Sequence, residues 1–352
     1  MRILIYSAAA ALALVLPGCA EPTGGDAKAQ PPGVSAEGFQ AWLPELRSRA
    51  LAAGVSRRTV EDVFPTLVFS SRTIELDRGQ PGGTSGATPT PPFAPYRDQH
   101  VTPALINAGA RRYQARLPQL RQIGQRYGVT PSVLVAIWGH ETSYGAVTGN
   151  FDLLNSLASL AYEGRRRELF ASEFVATLKM LDRGVPRSRL KGSWAGATGY
   201  PQFLPSVYLR LAVDGDGDGR SDIWTSELDA LASIANYLSN AGWRPAVPWG
   251  VAVNVPQGFD RSQLRTRLIS PRCPRVHERH SRWMSIGEWR RAGIVAQSGV
   301  WPRDTEMASL IEPDGPGRTA YLLTTNYRTI LDYNCSNFYA LSVGLLADAV
   351  AR

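Results

Sequence analysis

The stretch Thr130-Pro131-Ser132-Val133-Leu134-Val135-Ala136-Ile137-Trp138-Gly139-His140-Glu141-Thr142-Ser143-Tyr144-Gly145 decides how the rest of the chain is read. It sets a carboxylate where a buried helix ordinarily carries an aliphatic side chain. Thr130 suits a helix N-cap and Pro131 a first helical turn. Leu134, Ile137, Trp138 and Glu141 then follow at i, i+3, i+4 and i+7, the spacing of one apolar face. Gly145 is the expected stop, which leaves Glu141 in or near the last turn, where the helix dipole disfavours negative charge. Burial and dipole both raise a carboxyl pKa, the property a general acid needs near neutrality. The competing reading is a glutamate turned toward solvent at a frayed helix end.

The 352 residues allow one large domain or two smaller ones, and a hydrophobic content of 44% is enough for a substantial core. A formal charge of +8 favours anionic surroundings, whether nucleic acid, acidic lipid or an acidic wall polymer. The basic residues are scattered and runs such as Arg165-Arg166-Arg167 are short, so the charge reads as a solvated face. Nucleic acid is not an expected partner.

Arg2 precedes an apolar run over residues 3–16 that is too short to span a membrane comfortably and has the form of a signal peptide. The boundary Leu16-Pro17-Gly18-Cys19 resembles a bacterial lipobox. It implies removal of residues 1–18, lipidation of Cys19, a flexible Gly/Pro-rich tether over 19–34 and a folded region over 35–352. Pro17 is unusual at that place, so a plain signal peptide is the alternative. The expected location is the periplasmic side of the bacterial outer membrane, held by the lipid anchor. The inner membrane stays open as a second choice. With Cys19 given to lipid, Cys273 and Cys335 are the pair left in an oxidising compartment, which favours a disulfide. The rival is a metal site made by Cys273, His277 and His280.

Along the chain, Phe39, Trp42, Leu43 and Leu46 have helical spacing, and residues 56–64 read as a second short helix. Residues 79–95, rich in Gly, Pro and Thr, read as an exposed loop. Helical periodicity returns over 102–127, 153–162, 168–181, 226–240 and 336–351. Residues 191–205 differ: Gly192, Gly196 and Gly199 lie among Trp194, Tyr200 and Phe203, a mixture suited to the close-packed wall of a cleft. Strand-like patches at 251–255 and 321–325 make 245–330 a β-containing elaboration.

Four motifs together resemble the membrane-bound lytic murein transglycosylase B family: Gly139-His140-Glu141-Thr142-Ser143-Tyr144-Gly145, the run from Lys191 to Ser206, Ser233-Ile234-Ala235-Asn236-Tyr237 and Tyr333-Asn334-Cys335-Ser336. The resemblance spans about residues 36–350. It implies a mainly α-helical, lysozyme-like catalytic domain with a deep cleft and a smaller β-containing portion, acting on peptidoglycan glycan strands. It makes Glu141 the catalytic residue and Ser193, Gln202, Tyr333 and Asn334 contacts to the sugar at the scissile bond. Arg165 and Arg166 would line the cleft near the peptide-bearing sugars. The family's usual tyrosine before Phe170 is missing, and Pro201 replaces a more usual glycine. The implied reaction cleaves the MurNAc-β-1,4-GlcNAc bond and leaves 1,6-anhydro-MurNAc ends, with no cofactor for catalysis. Cell-wall synthases or hydrolases are the expected protein partners.

The chemistry can also be weighed from the residues. A retaining hydrolase needs a second carboxylate facing the acid, and an inverting one needs a base for water. Asp152 and Glu163 are nearest in sequence to Glu141, and neither sits in a comparable motif. A transglycosylase uses the substrate's own C6 hydroxyl, so one glutamate serves as acid and then as base. A hydrolytic muramidase and a non-catalytic peptidoglycan-binding lipoprotein are the alternatives. Separately, Asp214-Gly215-Asp216-Gly217-Asp218-Gly219-Arg220 matches the first half of a calcium loop, with Arg220 offering a carbonyl and Asp229 a later carboxylate. A structural calcium is expected there. The alternative is an Asp/Gly turn in which Asp229 belongs only to the next helix start.

Overall fold

The computed structural model describes residues 34–80, 91–265, 269–270, 272–273 and 275–352. The expected leader, Cys19, nearly all of the 19–34 tether and most of the 79–95 loop lie outside the described residues.

The stretch after Thr130 forms a helix over Pro131–Thr142 in which every residue from Ser132 onward is buried. It is therefore a central helix surrounded on all sides, where the spacing of Leu134, Ile137 and Trp138 had indicated a single inner face. Pro131 occupies the first turn, but the Thr130 side chain makes no cap hydrogen bond. The helix also stops before Gly145. Ser143, Tyr144 and Gly145 turn left-handed in succession, with φ of 49°, 61° and 86°. Left-handed backbone costs a non-glycine residue on the order of 1 kcal/mol. Packing offsets it: the Tyr144 ring folds back onto Gly139 and Gly109, where an added Cβ would lie 2.5 and 2.2 Å from the tyrosine. Its hydroxyl donates to the Leu105 carbonyl at 3.0 Å.

Asn337–Val350, Glu227–Asn240, Pro103–Ala115 and Leu117–Tyr127 pack around this helix and share one core with Leu134, Trp138, Ile234 and Leu341. The helical period expected over 102–127 is realised as two helices, Pro103–Ala115 and Leu117–Tyr127. A second core, centred on Phe39, Leu157 and Phe174, joins Ala36–Ala52, Arg57–Val63, Leu153–Glu163 and Arg167–Asp182.

The elaboration expected over 245–330 is an antiparallel five-stranded sheet ordered Met284–Ser285, Met307–Ile311, Ala320–Thr324, Gly250–Asn254, Val295–Ala296. Leu322 pairs with Val251 on one side and Leu310 on the other. Trp289 fills the small core beneath, its indole N–H donating to the Ala308 carbonyl at 3.0 Å. The chain is mainly helical with a smaller β portion, as its motifs implied. Ala320–Thr324 runs directly into the helix Thr325–Tyr333, so the sheet fixes where Tyr333 and Asn334 emerge.

Cys335, the next residue, is bonded to Cys273 with the Cα atoms 5.5 Å apart. The rival metal site is thereby dismantled. His280 places its two ring nitrogens on Ser309 Oγ at 3.2 Å and Asn337 Oδ1 at 2.7 Å. Among the described residues, no helix is long and apolar enough to cross a membrane.

Candidate active site

Glu141 is 5% exposed, and neither carboxyl oxygen has a hydrogen-bond partner among the described residues. Burial pushes its pKa up to about 8. The Tyr339 hydroxyl faces the carboxyl and pulls slightly the other way, without reaching hydrogen-bond geometry. Tyr96, Tyr333 and Tyr339 surround the group. Burial raises the pKa of each phenol, and the Glu141 charge adds to the rise. At neutral pH the site is a protonated acid among neutral phenols.

The wall opposite is the 191–205 segment, closed on itself by backbone pairs. Ser193 N–H donates to the Ala197 carbonyl at 2.8 Å, and Ser193 Oγ accepts from the Ala197 N–H at 3.0 Å. Gly192 is required at this approach, since a Cβ there would lie 2.0 Å from the Ala197 oxygen. Thr198 and Phe203 exchange both backbone hydrogen bonds, leaving Gln202 at the corner with φ +50°. The Gln202 amide donates to the carbonyls of Gly199 at 3.0 Å and Thr148 at 3.2 Å. Two hydroxyls tie this wall to the rest of the site. Thr142 Oγ1 lies 3.2 Å from the Tyr200 carbonyl, and Tyr333 donates to the Pro201 carbonyl at 2.5 Å. Asn334 is 3% exposed, and its Oδ1 has no partner among the described residues. Tyr333 thus faces Glu141 and bonds the wall beside Gln202, and Asn334 follows it in the chain, while Ser193 shapes the wall through its loop.

The sequence pattern of the transglycosylase SLT domain family matches residues 38–348. The chain belongs to this family. It is an enzyme, a lytic transglycosylase. Over 309 residues it is 32% identical to membrane-bound lytic murein transglycosylase B of Escherichia coli K12, covering 85% of this chain and 79% of that protein. Its fold is similar to that of SltB3 from Pseudomonas aeruginosa in complex with NAG-anhNAM-pentapeptide, with a TM-score of 0.78 and 39% identity over 89% of this chain and 79% of that one. It is also similar to the Escherichia coli lytic transglycosylase Slt35 in complex with calcium, with a TM-score of 0.69 and 29% identity over 90% and 93% of the two chains.

Arg165 and Arg166 meet a partner that the sequence reading missed. The carboxylate of Asp77, 1% exposed on the helix Ser71–Arg78, accepts from Arg165 Nε at 2.9 Å and from Arg166 Nη2, while Arg165 Nη2 donates to the Asp77 carbonyl and lies 2.6 Å from the carboxylate as an ion pair. Ile74 and Asp77, three apart and both turned inward, were the signal that could have exposed it. Tyr96 and Tyr339 were missed as well, because each lies on another helix and only packing brings it to Glu141.

Asp214, Asp216 and Asp218 each offer an oxygen within 4.8 Å of the others. Asp229 does not join them: its oxygens accept from the N–H groups of Gly215 at 2.8 Å and Asp222 at 2.6 Å. The Arg220 N–H donates to Asp218 at 2.8 Å. Of the expected metal ligands the structure thus groups Asp214, Asp216 and Asp218, while Asp229 is buried and braces the loop through Gly215 and Asp222. A surface hollow lined by Ser56, Thr59, Asp182 and Arg187 lies apart from Glu141 and holds none of the expected residues.

Proposed function

We propose that the protein cleaves the MurNAc-β-1,4-GlcNAc bond of peptidoglycan with formation of a 1,6-anhydro-muramoyl end, and that Glu141 is the single acid and base. The observation carrying this reading is a buried carboxyl without hydrogen-bond partners and with a pKa near 8, which stands protonated at neutral pH. Glu141 donates that proton to the glycosidic oxygen as the bond to C1 breaks. It then takes the proton of the muramoyl C6 hydroxyl as that oxygen closes on C1, and ends the cycle protonated again. No net proton leaves the site.

Hydrolysis would ask for a second carboxyl. The two nearest along the chain are committed elsewhere. Asp152 caps the Leu153–Glu163 helix by accepting from Asn155 N–H at 2.9 Å, and Glu163 pairs with Arg78 at 3.0 Å. Gln202 and Tyr333 hold the sugar against Glu141, Asn334 Oδ1 accepts from an amide or hydroxyl of the substrate, and Ser193 sets the wall. Glycan strands carrying peptides are the substrate class, in keeping with the muropeptide bound to SltB3. The lipobox-like boundary at Cys19 supports anchoring by lipid on the periplasmic side of the outer membrane. The trio Asp214, Asp216 and Asp218 fits a hard divalent cation, since it offers three carboxylate oxygens in one tight loop, and a structural calcium there would brace the start of Glu227–Asn240.

Mass spectrometry of muropeptides released by the purified protein tests the reaction. Anhydro ends, one water lighter than the hydrolytic product, are expected. Reducing ends as the sole product would make the enzyme a hydrolase and return the search to a second carboxyl.

A further inference from the structure

Arg272 stands directly before the Cys273–Cys335 disulfide, and Cys335 directly follows Asn334, so a covalent bridge ties this arginine to the substrate-facing turn. The residue is exposed, yet its guanidinium is placed. Nη1 donates to the Tyr237 hydroxyl at 2.9 Å, and that hydroxyl donates onward to the Asp332 carbonyl at 2.7 Å. The Tyr237 ring meets the Tyr333 ring edge-on at 4.7 Å, and Tyr333 faces Glu141. Arg272 is therefore linked to the acid through two aromatic rings, Tyr237 and Tyr333.

The hydrogen bond to Tyr237 uses one nitrogen and leaves the Nε and Nη2 edge of the guanidinium open. That edge is a planar fork matched to a carboxylate. Among the described residues Arg272 forms no ion pair within 4.0 Å. Asp332 is near enough for Arg272 and Arg328 to lower its pKa against the rise from burial, but is not bonded to either. Arg210 adds to the positive field around Tyr237. Arg165 and Arg166 differ, since both direct donors at Asp77.

We propose that Arg272 docks a carboxylate of the peptide that branches from the glycan, making it a residue that distinguishes peptide-bearing from bare strands. The proposal rests on the peptidoglycan reading above. SltB3 has been solved with NAG-NAM-pentapeptide, and any such peptide ends in a free carboxylate unless amidated. Tyr237 holds the guanidinium still before the ligand arrives, so little side-chain freedom is lost on binding.

The test is a binding measurement in the Glu141→Gln protein, which needs no turnover. Glycan strands bearing free-carboxylate peptides are compared with strands stripped of peptide by an amidase, using calorimetry, with and without Arg272→Ala. The expected result is about fivefold weaker binding of the peptide-bearing strands, the scale of a partly exposed ion pair, and no change for bare strands. Arg272→Lys should retain part of the affinity by keeping the charge without the fork. Equal weakening for both strands would mean that Arg272 only props Tyr237, and unchanged binding of both would mean that it touches nothing; either overturns the proposal. Failure of the wild type to release anhydro ends would count against the reaction reading alone, because the binding comparison stays readable without it.

Discussion

Glu141 and Asp77 are both buried carboxyls, 5% and 1% exposed, in opposite surroundings. Asp77 collects donors from two guanidiniums, so its negative charge is compensated where it sits. Glu141 collects none, and burial alone raises its pKa to about 8. The difference teaches that burial does not by itself make an acid. Burial without donors does, because nothing then repays the desolvation of the charged form.

The sharpest way to break this comparison is to replace each carboxyl by its amide. Glu141→Gln should lower the release of anhydro products by about a thousandfold or more, yet leave the melting temperature unchanged or higher, because a neutral amide replaces a neutral acid of the same shape. Retained cleavage by this variant would remove Glu141 from the chemistry. The pH profile comes next. Since the protonated form acts, kcat/KM should be level below pH 8 and fall about tenfold per unit above it. A group whose folded pKa lies above its ordinary 4.5 favours the folded state most at low pH, and that contribution is lost as the pH rises from 4.5 through about 8. The wild type should therefore lose melting temperature across this window relative to Glu141→Gln, and parallel curves would contradict the raised pKa.

Asp77→Asn should do the reverse. It strands two guanidiniums without their anion and should cost about 1–3 kcal/mol of stability by denaturant unfolding, a figure kept low because both arginines are partly solvated. Activity should fall far less than in Glu141→Gln. The smallest expected effect belongs to the aspartate trio. Calcium in excess over chelator should raise the melting temperature by about 2 °C, and Asp216→Ala should remove that response. Equal melting temperatures with calcium and with chelator would leave the loop as an Asp/Gly turn.

Much of this was legible in the chain before any coordinates. The i, i+3, i+4, i+7 run of Leu134, Ile137, Trp138 and Glu141 put the carboxyl among buried residues, and the glycine-aromatic mixture of 191–205 marked a wall. Local patterns carry such information because helix period and glycine sterics act over a few residues. They say least about the polar positions: the unbroken apolar run Val133 to Trp138 already pointed to a helix buried all round, but nothing local reports that Ser132, His140 and Thr142 are enclosed with it. Nor could they foresee that Ser143 and Tyr144 would turn left-handed. That turn is held by packing in which Gly139 and, on a separate helix, Gly109 leave room for the Tyr144 ring and hydroxyl.

By itself, then, the sequence determined the mainly helical class, the β-containing stretch after residue 245 and the glutamate to watch. Tertiary structure alone decided the surroundings that give each carboxyl its character. Tyr96, Tyr333 and Tyr339 reach Glu141 from three different helices, and Arg165 and Arg166 reach Asp77 across 88 and 89 residues of chain. Desolvation and charge compensation are fields summed over neighbours in space. A linear pattern records which groups are able to ionise, and only the packing says which of them will find a partner.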